Sequence, residues 1–193
     1  MTLPTKVTVL RVLLTVVIMG LLAVPGLAAK VACLVLFVVA SLTDWLDGYL
    51  ARRLNQTSPL GILLDPIADK MLILGVLISF VQLRLVPAWM VVVILARELL
   101  ITGVRLYAAS RKIVIAAAKE GKHKTVSQIV TVVLILVWLV IREIFSGGIP
   151  PTVERVVTQV ITVILWMTVL LTVISGASFF WRHRGLLRDV TVG

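Results

Sequence analysis

Long apolar runs, separated by short polar or turn-forming breaks, dominate the chain. The main breaks are Pro25-Gly26, the polar stretch 55–59, the basic stretch 110–124 and the Gly- and Pro-containing stretch 146–151. Each run is close to the roughly 20 residues that a helix needs to cross the hydrocarbon core of a bilayer. The pattern therefore predicts six helices, over residues 7–24, 28–46 with a continuation to 54, 60–83, 87–109, 125–141 and 153–181.

The composition places these helices in a membrane. Hydrophobic residues fill 60% of the 193 positions and charged residues only 15%, whereas soluble domains are about half apolar and about a quarter charged. We therefore predict an all-α, polytopic membrane protein with six transmembrane helices. Because six spans with short loops use this length, a single membrane domain over residues 1–193 is expected, without a separate soluble domain.

The net charge of +10 is explained by membrane topology rather than by nucleic-acid binding, which we do not expect. Basic residues accumulate in cytoplasmic loops, where they face anionic lipid headgroups. In a six-span chain both termini lie on one side, and most of the lysines and arginines fall on that side. The distribution predicts cytoplasmic termini.

Four aspartates interrupt this apolar chain at the end of the second and the start of the third predicted helix. Carboxylates are costly near a bilayer, and those found there usually face a bundle interior or a water-filled cavity. Asp44 and Asp47 are three residues apart and share a helix face, and Asp65 and Asp69 are four apart and share a face of the next helix. Two carboxylates from each helix would form a site for hard divalent cations, at the cytoplasmic side.

The residue types around these aspartates indicate phosphate chemistry. Carboxylates without nearby thiols or histidines favour magnesium or manganese, and magnesium commonly binds together with substrate phosphates. Two such ions can stabilise both the entering and the leaving oxygen of a displacement at phosphorus. Gly48 and Ala51 leave room for a ligand, Arg52 could hold a phosphate, and Gly61 could allow close helix approach.

The spacing Asp-x2-Asp-Gly-x2-Ala-Arg-x8-Gly-x3-Asp-x3-Asp resembles the motif of the CDP-alcohol phosphatidyltransferase family at every defined position. The resemblance implies a six-helix protein of the bacterial cytoplasmic membrane that binds CDP-diacylglycerol and membrane lipids and forms a homodimer. It implies two Mg2+ or Mn2+ ions per site. The implied roles are metal ligands at Asp44, Asp47, Asp65 and Asp69, a general base at Asp69, and CDP-diacylglycerol binding at Gly48, Ala51, Arg52 and Gly61.

Three further stretches, 3–11, 96–105 and 121–128, resemble members of that family whose acceptor is sn-glycerol 3-phosphate. The implied reaction yields phosphatidylglycerol phosphate and CMP. Glu98 is available to pair with a neighbouring helix or with substrate. The candidate residues for the acceptor phosphate are Arg97 and Arg105, eight apart and close to one helix face, with Lys122 and Lys124 at the cytoplasmic start of the fifth helix. Thr8 and Arg11, in the first of these stretches, are further candidate site residues.

Two other interpretations remain open at this point. A sibling transferase would use another acceptor, either phosphatidylglycerol, for cardiolipin synthesis, or inositol phosphate. A divalent-cation transporter would use the acidic cluster as its transport site, but it would need acidic residues on both halves of the pathway. The distal half offers only Glu143 and Glu154, both expected in a loop.

Overall fold

The computed structural model describes residues 3–54, 59–111, 120–145 and 148–184, and the side chains of residues 9–43, 70–111, 125–145 and 148–184. Within these ranges the chain is helical and contains no strand. All six predicted helices are present: α1 (Leu3–Ala23), α2 (Leu27–Leu54), α3 (Pro59–Gln82), α4 (Ala88–Ser110), α5 (Glu120–Ile144) and α6 (Pro151–Arg182).

The predicted loop up to residue 124 is wrong at its end, because α5 already begins at Glu120. Lysines and glutamate are good helix formers, and an acidic residue is favourable at a helix N-terminus. The basic composition of this stretch therefore does not prevent helix formation.

The helices form a closed ring of contacts with two further helices outside it. In the described chain α3 contacts α4, α4 contacts α6, α6 contacts α5, and α5 contacts α3, while α1 and α2 pack against the α3 and α5 side. The buried core between them is apolar, and its largest fully buried side chains include Phe37, Leu77, Phe80, Ile94 and Leu136.

The outer surface is also apolar. Among the residues whose side chains the structure describes, two segments, Thr125–Ile144 and Pro151–Arg182, are long and apolar enough to cross a membrane. Large apolar side chains point outward, and on α6 these include Val156, Val160, Val163, Met167, Leu170 and Ile174. A contiguous apolar surface of this kind marks an interaction site for lipid or protein, so the surface agrees with a membrane-associated protein.

A tight turn sets the register of α3 against α4. Arg84 has a φ of 58°, and the backbone N–H groups of Arg84 and Leu85 donate to the carbonyls of Val81 and Phe80 at 2.9 Å each. These are the two bonds of a Schellman motif, in which the left-handed position is usually glycine. Because the helices run back from this turn, residues equally far from Arg84, such as Lys70 (84 − 70 = 14) and Glu98 (98 − 84 = 14), come to the same level.

Close packing joins α1 to α3 at Gly75. A Cβ atom at Gly75 would lie 2.7 Å from Cγ2 of Thr15 and 3.0 Å from Sδ of Met19. Real Cβ atoms do not approach other atoms so closely. The absence of a side chain at Gly75 therefore allows α1 and α3 to pack at this short distance.

Candidate active site

The aspartate motif lies on two consecutive helices that contact each other. Asp44 and Asp47 belong to the C-terminal part of α2, and Asp65 and Asp69 to the first half of α3. The helical spacing predicted for each pair is therefore confirmed. The side chains of all four lie outside those that the structure describes, so their roles as metal ligands and general base stay predictions.

The side chains of several other candidate residues also lie outside the described set. Among the described side chains there is no group of three His, Cys, Asp or Glu residues that could hold a metal ion, but none of the motif residues is in that set. The candidates whose backbone is helical and whose side chains lie outside the described set are Thr8 on α1, Gly48, Ala51 and Arg52 on α2, Gly61 on α3, and Lys122 and Lys124 on α5.

A partly buried ion-pair network, centred on a buried carboxylate, extends from α3 to α4. The carboxylate of Glu98, which is only 4% exposed, lies 3.6 Å from Nζ of Lys70 through Oε2 and 3.3 Å from Nη1 of Arg97 through Oε1. This confirms the expectation that Glu98 can pair with a neighbouring helix. Buried charges are tolerated where they are paired and hydrogen-bonded.

Lys70 was not a predicted site residue, although the sequence offers a signal for it. It directly follows Asp69 and is the only basic residue of α3. Its partner depends on the register set by the Arg84 turn, which the helical pattern alone does not reveal. The network therefore connects α4 to the residue adjacent to the predicted general base.

Arg97 also reaches across to α6. Its Nη2 donates to Oγ of Ser175 at 3.1 Å, while its buried Nε has no hydrogen-bond partner among the described residues. Guanidinium groups bind phosphates well because they present several donors in a fixed plane. An Arg97 held by Glu98 and Ser175, with a donor unsatisfied, is suited to an anionic ligand.

Arg105 and Arg97 lie on the same side of α4, as their spacing predicts. Cζ of Arg105 is 5.7 Å from the centroid of the Phe179 ring, so both arginines face α6, although Arg105 is exposed. Arg11 is buried on α1, which contacts α2 and α3 in the described chain but not α4 or α6. The structure therefore groups Arg97 with Arg105 and leaves Arg11 on a separate interface.

A line of buried hydroxyl side chains follows α6. Oγ1 of Thr168 lies 2.9 Å from Oγ1 of Thr131 on α5, so a hydrogen bond joins the two helices. Thr172 and Ser175 donate to backbone carbonyls one turn before them, at 2.7 Å and 3.1 Å. Ser175 differs from the others because it is also an acceptor for Arg97.

Comparison of the sequence with known proteins indicates the family of this chain. Residues 1–174 match the sequence model of the CDP-alcohol phosphatidyltransferase family. The chain is 38% identical to the CDP-diacylglycerol–glycerol-3-phosphate 3-phosphatidyltransferase of Bacillus subtilis (strain 168), over 94% of each protein. It is 35% identical to the enzyme of that name from Rickettsia felis, over 92% of this chain and 93% of the relative. A third relative of that name, from Mycoplasma genitalium, is 45% identical over 51% of this chain and 42% of its own length.

Proposed function

Because the chain belongs to the CDP-alcohol phosphatidyltransferase family, we propose that it transfers a phosphatidyl group from CDP-diacylglycerol to sn-glycerol 3-phosphate. The products are phosphatidylglycerol phosphate and CMP. The observation that carries this proposal is the intact aspartate motif on α2 and α3. Relatives named for this reaction match more than nine-tenths of the chain, which favours glycerol 3-phosphate over another acceptor.

The reaction is a displacement at phosphorus. The acceptor hydroxyl forms a bond to the phosphatidyl phosphorus, the bond from phosphorus to the CMP oxygen breaks, and Asp69 accepts the hydroxyl proton. On α2, Arg52 donates to the diphosphate and stabilises the negative charge that develops on the leaving CMP. Gly48, Ala51 and Gly61 keep the approach to the diphosphate free of larger side chains.

The donor set fits a hard divalent cation, because carboxylate oxygens from two contacting helices are the ligands that magnesium and manganese prefer. Two such ions, held by Asp44, Asp47, Asp65 and Asp69, would neutralise the diphosphate charge. Removal of divalent ions with EDTA is expected to abolish turnover, and added Mg2+ to restore it.

The acceptor phosphate is held by the basic residues of α4 and the start of α5. Arg97 lies inside the helix ring with Glu98 and Ser175 as neighbours, and Arg105 stands two turns further along α4, toward its end. Lys122 and Lys124 would add charge at the beginning of α5. The contact between Glu98 of α4 and Lys70 of α3 supports an acceptor site beside α3, the helix that carries Asp69.

The protein is proposed to span the bacterial cytoplasmic membrane six times, with both termini and the motif at the cytoplasmic side, and to act as a homodimer. The distribution of basic residues supports the orientation. The exposed apolar side chains around the helices suit contact with lipid and with a second copy. Labelling of single cysteines by a membrane-impermeant reagent in intact cells, with Cys33 replaced, tests the topology.

The decisive experiment measures CMP release from CDP-diacylglycerol by the purified protein with Mg2+, with and without glycerol 3-phosphate, for wild type and Asp69→Asn. We expect release that requires glycerol 3-phosphate and is lost in the variant. Glu154→Gln is a matched control, because it neutralises a half-exposed carboxylate that lies in the first turn of α6 and not in the expected loop.

The other outcomes discriminate the alternatives. Release only with phosphatidylglycerol or inositol phosphate would keep the site and change the acceptor. No release with any alcohol, from folded protein, would refute the enzyme and lead to a cation-flux assay in liposomes.

A further inference from the structure

Two consecutive residues of α6 determine where Arg97 lies. Oγ of Ser175 accepts a hydrogen bond from Nη2 of Arg97 at 3.1 Å. A Cβ atom at the next residue, Gly176, would lie 3.1 Å from Cγ and 4.0 Å from Nε of Arg97. The first residue thus supplies a polar contact, and the second leaves space for the arginine stem.

Ser175 and Glu98 contact different terminal nitrogens of the Arg97 guanidinium group. Nη1 is directed to Glu98 at 3.3 Å, and Nη2 is directed to Ser175. Because the guanidinium group is planar, fixing both terminal nitrogens fixes the direction of the Nε–H bond. The buried Nε has no hydrogen-bond partner among the described residues. The direction of the Nε–H bond therefore decides which ligand atom can accept a hydrogen bond from it.

We infer that Ser175 and Gly176 are positioning residues for acceptor binding: they orient Arg97 so that its unsatisfied donor meets the phosphate of the acceptor alcohol. The inference rests on the proposed function, in which Arg97 binds that phosphate. The match to the family model ends at residue 174, so both residues lie beyond it. Neither residue needs to touch substrate, because each acts through Arg97.

Such a role predicts a selective kinetic effect. The contacts concern a residue of the acceptor site, whereas CDP-diacylglycerol is proposed to bind at the motif on α2 and α3. Loss of the Ser175 hydroxyl should therefore raise KM for glycerol 3-phosphate and leave KM for CDP-diacylglycerol unchanged. A purely structural loss would instead lower the fraction of active protein and reduce kcat alone.

The test compares purified full-length variants in the CMP-release assay at varied concentrations of each substrate. Ser175→Ala is expected to raise KM for glycerol 3-phosphate about 3- to 10-fold, the size of one ordinary intramolecular hydrogen bond, because Ser175 acts only through Arg97. Ser175→Thr keeps the hydroxyl and is expected to stay within about twofold of wild type. Ser79→Ala is the matched control, since Ser79 is equally buried but its Oγ donates only to the carbonyl of Gly75 on its own helix, at 3.1 Å.

Gly176→Ala tests the space requirement independently. The added methyl group would displace the Arg97 stem by a few tenths of an ångström, and the expected result is again an increased KM for glycerol 3-phosphate. Gly103→Ala on α4 is its control, because nothing lies within 4 Å of a Cβ atom there.

A double-mutant cycle separates positioning from general damage. Arg97→Lys keeps the charge beside Glu98, so the protein retains its buried pair, but removes the fork that Ser175 orients. We expect Ser175→Ala to have less than half of its wild-type effect on acceptor KM in the Arg97→Lys background.

The inference is overturned if the two substitutions are fully additive, if KM for both substrates rises equally, or if Ser175→Ala matches wild type. These results, obtained with a wild-type protein that requires glycerol 3-phosphate for CMP release, would leave the proposed function intact. A wild-type protein inactive with glycerol 3-phosphate would overturn the proposed function and the inference together.

Discussion

The α1–α3 and α4–α6 interfaces each contain a buried glycine that admits side chains from the opposite helix, but the side chains admitted are different. Gly75 receives Thr15 and Met19 of α1 at contact distance, and Gly176 receives the stem of Arg97. In the first interface the missing side chain brings two helices close together. In the second it makes room for a charged group, and only there does the space have a chemical use.

Two largely buried cations, Lys30 on α2 beside the end of α1 and Arg97 on α4 in the second interface, differ in a similar way. Nζ of Lys30, 7% exposed, donates to the carbonyls of Leu22 and Val24 at 2.7 Å and 2.8 Å, which caps the end of α1 just before the left-handed Gly26 turn. Arg97 instead joins a chain of side chains and keeps one donor unpartnered within the described structure. A cation that donates to the carbonyls of a helix end has a structural role. A cation that keeps one buried N–H donor without a partner is suited to bind a ligand.

The largest effect expected from this comparison is on activity. Arg97→Ala should lower kcat/KM for glycerol 3-phosphate about 100-fold, because it removes charge-assisted hydrogen bonds to a phosphate. Steady-state CMP release measures this value. Lys30→Ala, which removes the cation that caps the end of α1, should leave kcat/KM of the folded protein within about twofold of wild type.

Equal losses of activity in both variants would contradict the comparison. They would mean that loss of a cation from the protein interior lowers activity wherever the cation lies. Thermal unfolding in detergent must accompany the assay, because Arg97→Ala also removes a partner of the buried Glu98.

The next effect concerns stability at the α1–α3 interface. Gly75→Ala should destabilise the protein by about 1–3 kcal/mol, because the new methyl group overlaps Thr15 and the helices must separate. A lowered Tm in detergent measures it. Gly20→Ala on the same pair of helices has nothing within 4 Å of its Cβ atom and should be neutral or slightly stabilising, as alanine favours helix. An unchanged Tm for Gly75→Ala would show that α1 is not held tightly.

The sequence allows most of this fold to be predicted, because six apolar runs separated by turn signals leave few alternatives for a membrane chain. The position of the motif on α2 and α3 follows from the same pattern. The pairing of Lys70 with Glu98 does not, since it depends on a left-handed turn formed by Arg84, where glycine is the usual residue.

The role of Ser175 could not be predicted for a similar reason. Hydroxyl residues recur along α6, and most of them satisfy neighbouring backbone or one another. Which of them meets Arg97 is decided by the packing of α4 on α6, a contact between segments 78 residues apart in the chain.

A smaller stability effect is expected for the capping lysine. Lys30→Met keeps a long apolar stem but removes both hydrogen bonds to the α1 carbonyls, which should cost about 1–2 kcal/mol. The Tm in detergent should fall, with KM for both substrates unchanged in the folded protein. If activity fell by more than the fraction of folded protein, the end of α1 would have to influence the active site, contrary to the separation of the two regions.

The smallest effect belongs to an ion pair outside both regions. Nη2 of Arg142 lies 3.4 Å from Oε1 of Glu154 across the α5–α6 turn, and both side chains are about half exposed, at 46% and 49%. Exposed pairs contribute only about 0–1 kcal/mol, because water screens the charges and the side chains lose freedom on pairing. Arg142→Gln should therefore change Tm little, and the change should shrink further as salt is raised. A loss of stability as large as that of Lys30→Met would mean that this turn is shielded from water in the membrane-bound protein. Contact with lipid, and not exposure to water, would then determine how much this ion pair contributes to stability.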